Sequence, residues 1–128
     1  MADSRTGLGR RGEQLAAEAL QRHGYALIDR NWRCAHGEVD LVFEREAHLY
    51  FVEVRTRRGR PYPIPEETLT ARKRARMELV ARAYLGSHVD GKQLNWHLSF
   101  VALAIDAAGR LQRITFYPSL DDEPCELA

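Results

Sequence analysis

The sequence has few cysteines and no long apolar run. Cys34 and Cys125 lie far apart, without the CxxC spacing of metal and redox motifs. No apolar run approaches the ~20 residues that cross a bilayer, and no charged-then-apolar signal peptide opens the chain. These absences argue against a disulfide scaffold and a helical membrane protein, and they predict a cytoplasmic protein with two reduced thiols.

Several enzyme motifs are absent as well. No glycine-rich phosphate loop follows a predicted strand, and no Ser/His/Asp set occurs in a recognisable context. The five histidines are scattered and form no Cys/His cluster of the kind that binds zinc. Nucleotide-binding loops, serine hydrolases and zinc modules are therefore poor explanations of this chain.

Charge is nearly balanced overall but unevenly distributed. The net charge is +1, yet residues 55–82 contain nine basic and three acidic side chains. Four acidic residues then lie between Asp121 and Glu126. The chain thus has a basic middle and an acidic end, a pattern that points to an anionic partner or to a solvated helix face.

Length and hydrophobic content predict one folded domain over 1–128, with a core at about 7–117 and a polar acidic tail at 118–128. Periodicity and turn residues predict two helices and five strands in the order αβββαββ. The expected fold class is α/β (α+β), with a mixed central sheet flanked by two helices. The predicted elements are a helix at Gly7–His23 stopped by Gly24, strands Tyr25–Trp32, Glu38–Glu44 and His48–Arg55, a loop at 58–65, a helix from about Thr70 to Leu85 ended by Gly86, a buried strand Trp96–Ile105 and an edge strand Leu111–Tyr117.

Two carboxylates occur within apolar strands. Asp40 lies in Val-Asp-Leu-Val and Glu53 in Phe-Val-Glu-Val. A two-residue turn at Glu46-Ala47 would set Asp40 directly opposite Glu53, with Cβ atoms roughly 4.5–5.5 Å apart. A longer loop over 44–47 would make them diagonal neighbours. Two like charges so close favour a cation or a shared proton between them, and hard oxygen ligands suit Mg²⁺ or Mn²⁺.

The residues alone leave alternatives open. Asp40 and Glu53 also fit a solvated strand face, with Arg55 as an ion-pair partner two residues from Glu53. Glu13 lies beside the apolar stripe of the first helix, so it is either a surface glutamate or a third acid directed at the hairpin. Lys73 begins the stripe Lys73, Met77, Val80 and Tyr84 of the second helix, which indicates a core-facing side.

Together these residues resemble a known pattern. Gly37-Glu38-Val39-Asp40 followed by Phe51-Val52-Glu53-Val54-Arg55 resembles the D–(x)n–E-x-K signature of restriction-endonuclease-like nucleases. With Gly12-Glu13, Gly24-Tyr25, Arg30-Asn31 and Lys73 in the same order, the chain resembles a bacterial family of YraN-like proteins regarded as predicted endonucleases. The resemblance covers roughly residues 7–105. It implies a restriction-endonuclease-like αβββαβ core, similar to archaeal Holliday-junction resolvases.

The resemblance also implies a function and a set of site residues. It implies a Mg²⁺-dependent (or Mn²⁺-dependent) endonuclease acting on DNA phosphodiester bonds, at branched or damaged structures, and a resolvase-like role favours a homodimer. The metal ligands would be Asp40, Glu53 and the Val54 carbonyl, with Glu13 acting directly or through water. Phosphate contacts would come from a set of five arginines: Arg57, Arg58, Arg60, Arg72 and Arg76.

Two residues depart from the pattern. Arg55 stands where the nuclease signature has lysine, and arginine stabilises charge but cannot act as a base. Val101 stands where the family commonly has an acid. One hypothesis is that Lys73 takes the lysine's place from the second helix, and the alternative is a helix lysine in water. The alternatives to a nuclease are a non-catalytic nucleic-acid-binding module that retains the nuclease fold and a protein-interaction scaffold that uses the acidic tail.

Overall fold

The computed structural model describes residues 7–58, 69–88 and 95–127. Within these residues, eight elements follow one another in the order αβββαβββ. They are α1 Gly7–Arg22, β1 Ala26–Cys34, β2 Gly37–Arg45, β3 His48–Arg58, α2 Ala71–His88, β4 Asn95–Ile105, β5 Leu111–Tyr117 and β6 Cys125–Leu127. Neither helix in this part of the chain combines the length and apolar character needed to span a bilayer.

The six strands form one mixed sheet in the order β1-β2-β3-β4-β5-β6. All neighbouring strands are antiparallel except β3 and β4, which are parallel and pair along their whole length from His48↔Asn95 to Arg58↔Ile105. A parallel pair needs a crossover, and α2 lies within that connection. The mixed α/β architecture that the sequence predicts, with its αβββαβ core, is therefore confirmed.

The two helices cover opposite faces of the sheet. Ala16 and Leu20 of α1 pack with Leu41 and Val52 in one core cluster. Val80 and Tyr84 of α2 pack in a second cluster, which includes Val42 and Phe51, the strand neighbours of Leu41 and Val52. Because successive strand residues point to opposite faces, the central strands β2 and β3 are buried on both sides.

The structure confirms three turn and cap features that the sequence predicts. Gly24 has a φ of 91° two residues after Arg22, the last residue of α1, as expected of a helix-stopping glycine. Glu46 and Ala47 both have positive φ, which is the geometry of a two-residue hairpin turn. The Thr70 hydroxyl accepts a hydrogen bond from the Lys73 N–H at 3.1 Å and caps α2.

The structure corrects three other expectations. Helix α2 does not end at Gly86 but continues to His88, because Gly86 does not adopt the positive φ that stops a helix. Arg58 belongs to β3 rather than to the predicted loop, whose remaining residues 59–65 lie outside the described residues. Strand β5 is not at the sheet edge, because β6 pairs with it through Ile114↔Leu127.

Candidate metal centre

The hairpin of β2 and β3 opens at the end remote from its turn. The turn sets the register Arg45↔His48, and the described ladder runs as far as Leu41↔Val52. Beyond this last pair, the N–H of Val54, two residues past Val52, donates a hydrogen bond at 2.8 Å to the Asp40 carboxylate. The two-residue turn is confirmed, but the ladder ends one pair before Asp40 and Glu53, and the Asp40 side chain bonds to the β3 backbone beyond it.

A cavity of about 270 Å³ lies at this opening. Its walls come from the start of α1, from β2 and from the second half of β3. All three predicted acids line it, together with Glu38 and Thr56, which the sequence did not indicate as site residues. The complete lining is Leu8, Gly9, Glu13, Glu38, Asp40, Glu53, Val54, Arg55 and Thr56.

Glu53 is held by two cations. Its Oε2 lies 3.0 Å from the Lys73 Nζ and 3.2 Å from an Arg55 guanidinium nitrogen. Burial raises the pKa of the Glu53 carboxyl, and the positive charge of Arg55 opposes that rise. The Lys73 side chain, only 20% exposed, therefore reaches the site from the second helix, where the sequence hypothesis had placed its amine.

Asp40 is in a still less favourable setting for a negative charge. Burial and the nearby charge of Glu53 raise the pKa of the Asp40 carboxyl to about 8, although the Val54 N–H acts in the opposite direction. The repulsion between the two carboxylates is thus a property of this structure. A cation bound beside them would reduce both the repulsion and the cost of burial.

Glu13 enters the cavity from α1 and is only 8% exposed. Its Oε1 accepts a hydrogen bond at 3.1 Å from the Asn31 side chain. Asn31 adopts a φ of 53°, a left-handed conformation that asparagine tolerates better than most residues. The Glu13 side chain is therefore a member of the site rather than a solvated surface glutamate.

The Thr56 hydroxyl is buried and, among the described residues, has no hydrogen-bond partner. A buried hydroxyl without a partner costs about 1–3 kcal/mol. A Cβ on Gly12 would fall onto this hydroxyl, so only glycine lets α1 approach β3 so closely. The sequence signal available for Thr56 is modest: it follows the Glu53-Val54-Arg55 segment directly.

The donors at the cavity fit a hard divalent cation in their chemistry. Carboxylate oxygens are the preferred ligands of Mg²⁺ and Mn²⁺, and four carboxylates line the cavity, those of Glu13, Glu38, Asp40 and Glu53. Within 7–58, 69–88 and 95–127, no group of three or more His, Cys, Asp or Glu side chains is arranged to hold a metal ion. Binding would accordingly require Glu53 to exchange Lys73 or Arg55 for the cation, and Asp40 to reorient.

The five arginines predicted as phosphate contacts lie in different settings. Arg76 lies near the site, since its charge lowers the pKa of Glu53 and its side chain packs over Gly37. Arg57 and Arg72 are exposed. Arg58 instead donates to the Ala107 carbonyl at 3.3 Å. Arg60 lies outside the described residues.

Val101 is fully buried, and it pairs with Val54 across β3 and β4. An apolar residue therefore packs in the core at the position where the resembled family commonly has an acid.

Comparison with known proteins identifies the family. The profile of uncharacterised protein family UPF0102 matches residues 12–113, which is most of the chain. This chain belongs to family UPF0102.

Two relatives illustrate the match. A UPF0102 protein of Roseiflexus castenholzii is 40% identical over 123 residues, which are 96% of this chain and 99% of the relative. A UPF0102 protein of Herpetosiphon aurantiacus is 48% identical over 96 residues, covering 75% and 77% of the two chains. The UPF0102 match starts at Gly12, so it includes the three acids, Thr56 and Lys73 but ends before β6.

Proposed function

We propose that this UPF0102 protein is a metal-dependent endonuclease that hydrolyses phosphodiester bonds of DNA, with Mg²⁺ or Mn²⁺ as cofactor. The observation that carries the proposal is the single cavity that joins Glu13, Asp40 and Glu53 beside the ammonium group of Lys73. Carboxylates can hold a divalent cation, and a bound cation and a nearby ammonium group can both stabilise the charge that develops on a scissile phosphate.

Each side chain has a role in this proposal. Asp40, Glu53 and the Val54 carbonyl would hold the cation, with Glu13 acting directly or through water. A bound cation polarises the scissile phosphate and lowers the pKa of water. Lys73, released from Glu53, would stabilise the charge that develops on the phosphate or orient the attacking water. Arg55 would stabilise charge only, because its guanidinium stays protonated.

The basic residues would hold the DNA backbone. Arg76 lies near Glu53, and Arg57 and Arg72 are exposed. Contacts of this kind set affinity and register without reading base sequence. A substrate selected by shape, such as branched or damaged DNA, is compatible with such contacts. Arg58 and Arg60 would extend the same backbone-binding surface, and a homodimer would suit a branched substrate.

The test is cleavage of supercoiled plasmid and of a four-way branched duplex, with Mg²⁺ or Mn²⁺ and with chelator. We expect Glu53→Ala to abolish cutting and Lys73→Met to slow it by about 100-fold or more, the scale of losing one charge-stabilising group. Glu78→Ala and Arg82→Met are matched controls, because these two residues pair with each other on α2. Unchanged cleavage in Lys73→Met would remove Lys73 from the mechanism.

A second candidate is a DNA-binding module without turnover. The ion pairs of Glu53 with both Lys73 and Arg55 favour it, because they occupy a proposed ligand. No cutting by the wild type, together with salt-sensitive DNA binding, would support this candidate. Each phosphate of duplex DNA that the protein neutralises adds about 0.9 to the magnitude of the slope of log Kobs against log salt concentration. The double variant Arg72→Ala/Arg76→Ala should therefore reduce the magnitude of this slope by about 2. Arg113→Ala on β5 serves as a control.

A further inference from the structure

Two arginines from different elements converge on the turn between β4 and β5. Arg11 extends from α1, and Arg58 is the last residue of β3. Gly109 of that turn is buried, and a Cβ built on it would lie 3.3 Å from a guanidinium nitrogen of Arg11 and 3.7 Å from one of Arg58. The two guanidinium groups therefore lie over the same short piece of backbone.

This arginine pair carries two positive charges without a matching acid. Within the described residues, no carboxylate forms an ion pair with Arg11 or Arg58. Asp106, the acid of the turn, accepts hydrogen bonds from the N–H groups of Ala108 and Arg110 and lies 3.7 Å from the Arg110 guanidinium. Because arginine stays charged, the two guanidinium groups repel each other, and an anion held between them would offset that repulsion.

A phosphate group has the chemistry that this arrangement requires. The oxygens of one phosphate can accept charge-assisted hydrogen bonds from two guanidinium groups, at about 2.7–2.9 Å each. The planar guanidinium presents its donors in a fixed geometry that matches a phosphate. Both arginine side chains are exposed, so a large phosphate-bearing molecule can reach them.

We propose that Arg11 and Arg58 together bind one phosphate of the DNA backbone, outside the metal cavity. Arg58 follows Glu53 on β3 by five residues, which is roughly 16 Å along an extended strand. Phosphates of one DNA strand follow one another at about 3.4 Å along the helix axis. The arginine pair would therefore hold a phosphate several nucleotides away from the scissile bond.

The inference takes its ligand from the proposed function and deepens it, because it assigns a path to the bound strand. Glu13 lies two residues after Arg11 on α1 and lines the cavity. The path would thus run from the cavity along the start of α1 to the β4–β5 turn. A backbone contact at this distance sets the register of the DNA on the protein without reading its bases.

The test is binding of a fluorescently labelled DNA duplex by anisotropy, in chelator and over a series of salt concentrations. The double variant Arg11→Gln/Arg58→Gln should reduce the magnitude of the slope of log Kobs against log salt concentration by about 0.9, the value for one phosphate. A reduction of about 1.8 would indicate two separate phosphates and would overturn the shared site. An unchanged slope would overturn the inference altogether.

Arg11→Gln tests the pair with little risk to the fold, because it is Arg58 that donates to the Ala107 carbonyl of the turn. We expect Arg11→Gln to keep the wild-type denaturation midpoint in urea and to bind the duplex about 10-fold more weakly, the effect of losing one charge-assisted hydrogen bond. Arg11→Lys, which retains the charge, should keep the wild-type salt slope. Arg113→Gln is the control, because Arg113 pairs with Glu126 on β6. Equal affinity in Arg11→Gln and wild type would overturn the role of Arg11.

Measuring binding in chelator separates this inference from the cleavage mechanism. No salt-sensitive binding by the wild type would overturn the arginine pair, whatever the cleavage assay shows. The expected slopes together with no cleavage by the wild type would support the arginine pair and contradict only the proposed hydrolysis.

Discussion

The carboxylate of Glu53 is contacted by two cations of different chemistry. Lys73 reaches it from α2 at 3.0 Å, and Arg55 reaches it along β3 at 3.2 Å. A lysine ammonium is a compact charge that can release its proton, whereas the arginine guanidinium is planar and stays charged. The site thus contains the amine of Lys73 although the strand carries Arg55 in place of lysine. Both side chains form ion pairs with the same Glu53 carboxylate.

Replacing Arg55 with lysine tests this competition. If Arg55 restrains Glu53, we expect Arg55→Lys to raise metal-dependent kcat/KM by about 10-fold, or ~1.4 kcal/mol of barrier. A smaller and more mobile cation would release the carboxylate more readily. Arg113→Lys is the control, because Arg113 is also a strand arginine paired with a glutamate, Glu126, but lies outside the proposed site. A lower rate in Arg55→Lys would show instead that the guanidinium itself stabilises the reacting charge.

Asp40 and Glu53 could be predicted from sequence because each interrupts an apolar strand, where an uncompensated charge is costly. Glu13 lies on a helix, so only the family resemblance assigned it to the site. Lys73 could be predicted because it begins a helical stripe that ends in buried Val80 and Tyr84. Thr56 could not, because threonine is an ordinary strand residue. Its unusual feature is the missing partner, which depends on how α1 packs against β3. The ion pairs of Glu53 with both Lys73 and Arg55 could not be predicted either, because they depend on how α2 packs against β3.

At the level of secondary-structure elements, the packing of α1 against β3 depends on the absence of a side chain at Gly12. A Cβ there would overlap the Thr56 hydroxyl and approach the Thr56 Cβ to 3.2 Å. The helix must therefore move away from the strand if any larger residue replaces Gly12. This spacing also holds Glu13 beside the cavity, so packing and site geometry are linked.

We expect Gly12→Ala to lower the free energy of unfolding by about 1–3 kcal/mol, the cost of overpacking a core contact. Thr56→Ala removes the hydroxyl, so the double variant Gly12→Ala/Thr56→Ala should be more stable than the sum of the single changes predicts. Urea denaturation of the four proteins measures this coupling. Additive losses would mean that Gly12 and Thr56 do not constrain each other. Gly7→Ala is a control, because a Cβ at Gly7 meets nothing within 4 Å.

A histidine pair joins the start of β3 to β4. The His48 Nδ1 lies 2.7 Å from the His97 Nε2, and the ring planes differ by 11°. One proton can lie between the two nitrogens, whereas protonation of both rings would place two positive charges in contact. Burial and His48 lower the pKa of His97, while Asp122 acts in the opposite direction, and the Tyr50 ring stacks on His97.

This pair predicts a pH dependence of stability. Because the pKa of His97 is lowered from 6.5 in the folded state, the unfolded chain takes up the proton first as pH falls. The stabilisation is therefore complete above about pH 6.5 and is lost as pH falls toward the folded-state pKa. We expect His97→Asn to show a smaller loss of stability than the wild type between about pH 7.5 and pH 5. Exposed His36→Asn is the control, and an equal loss in wild type and His97→Asn would contradict the assignment.

For the molecule as a whole, local signals predicted most of the architecture. Helical stripes, apolar strands and turn residues predicted seven of the eight elements that the structure describes, and the Glu46-Ala47 turn predicted the hairpin register. Strand β6 was missed because it has only three residues and follows Pro124 in an acidic segment. What identifies it is the burial of Leu127 against Ile114 and Phe116, which only the folded chain brings together.

The final segment should therefore stabilise the sheet and limit association. Truncation after Leu120 removes β6 and Asp121, the partner of Arg74 at 2.7 Å. We expect the free energy of unfolding in urea to fall by about 2–4 kcal/mol, because Leu127 is no longer buried and β5 no longer pairs with β6. Because β5 becomes an exposed edge, we also expect concentration-dependent association by light scattering. Leu127→Ala keeps the strand backbone, so it should lose stability without added association. A truncated chain that matches the full-length protein in both measurements would show that β6 is dispensable to the sheet.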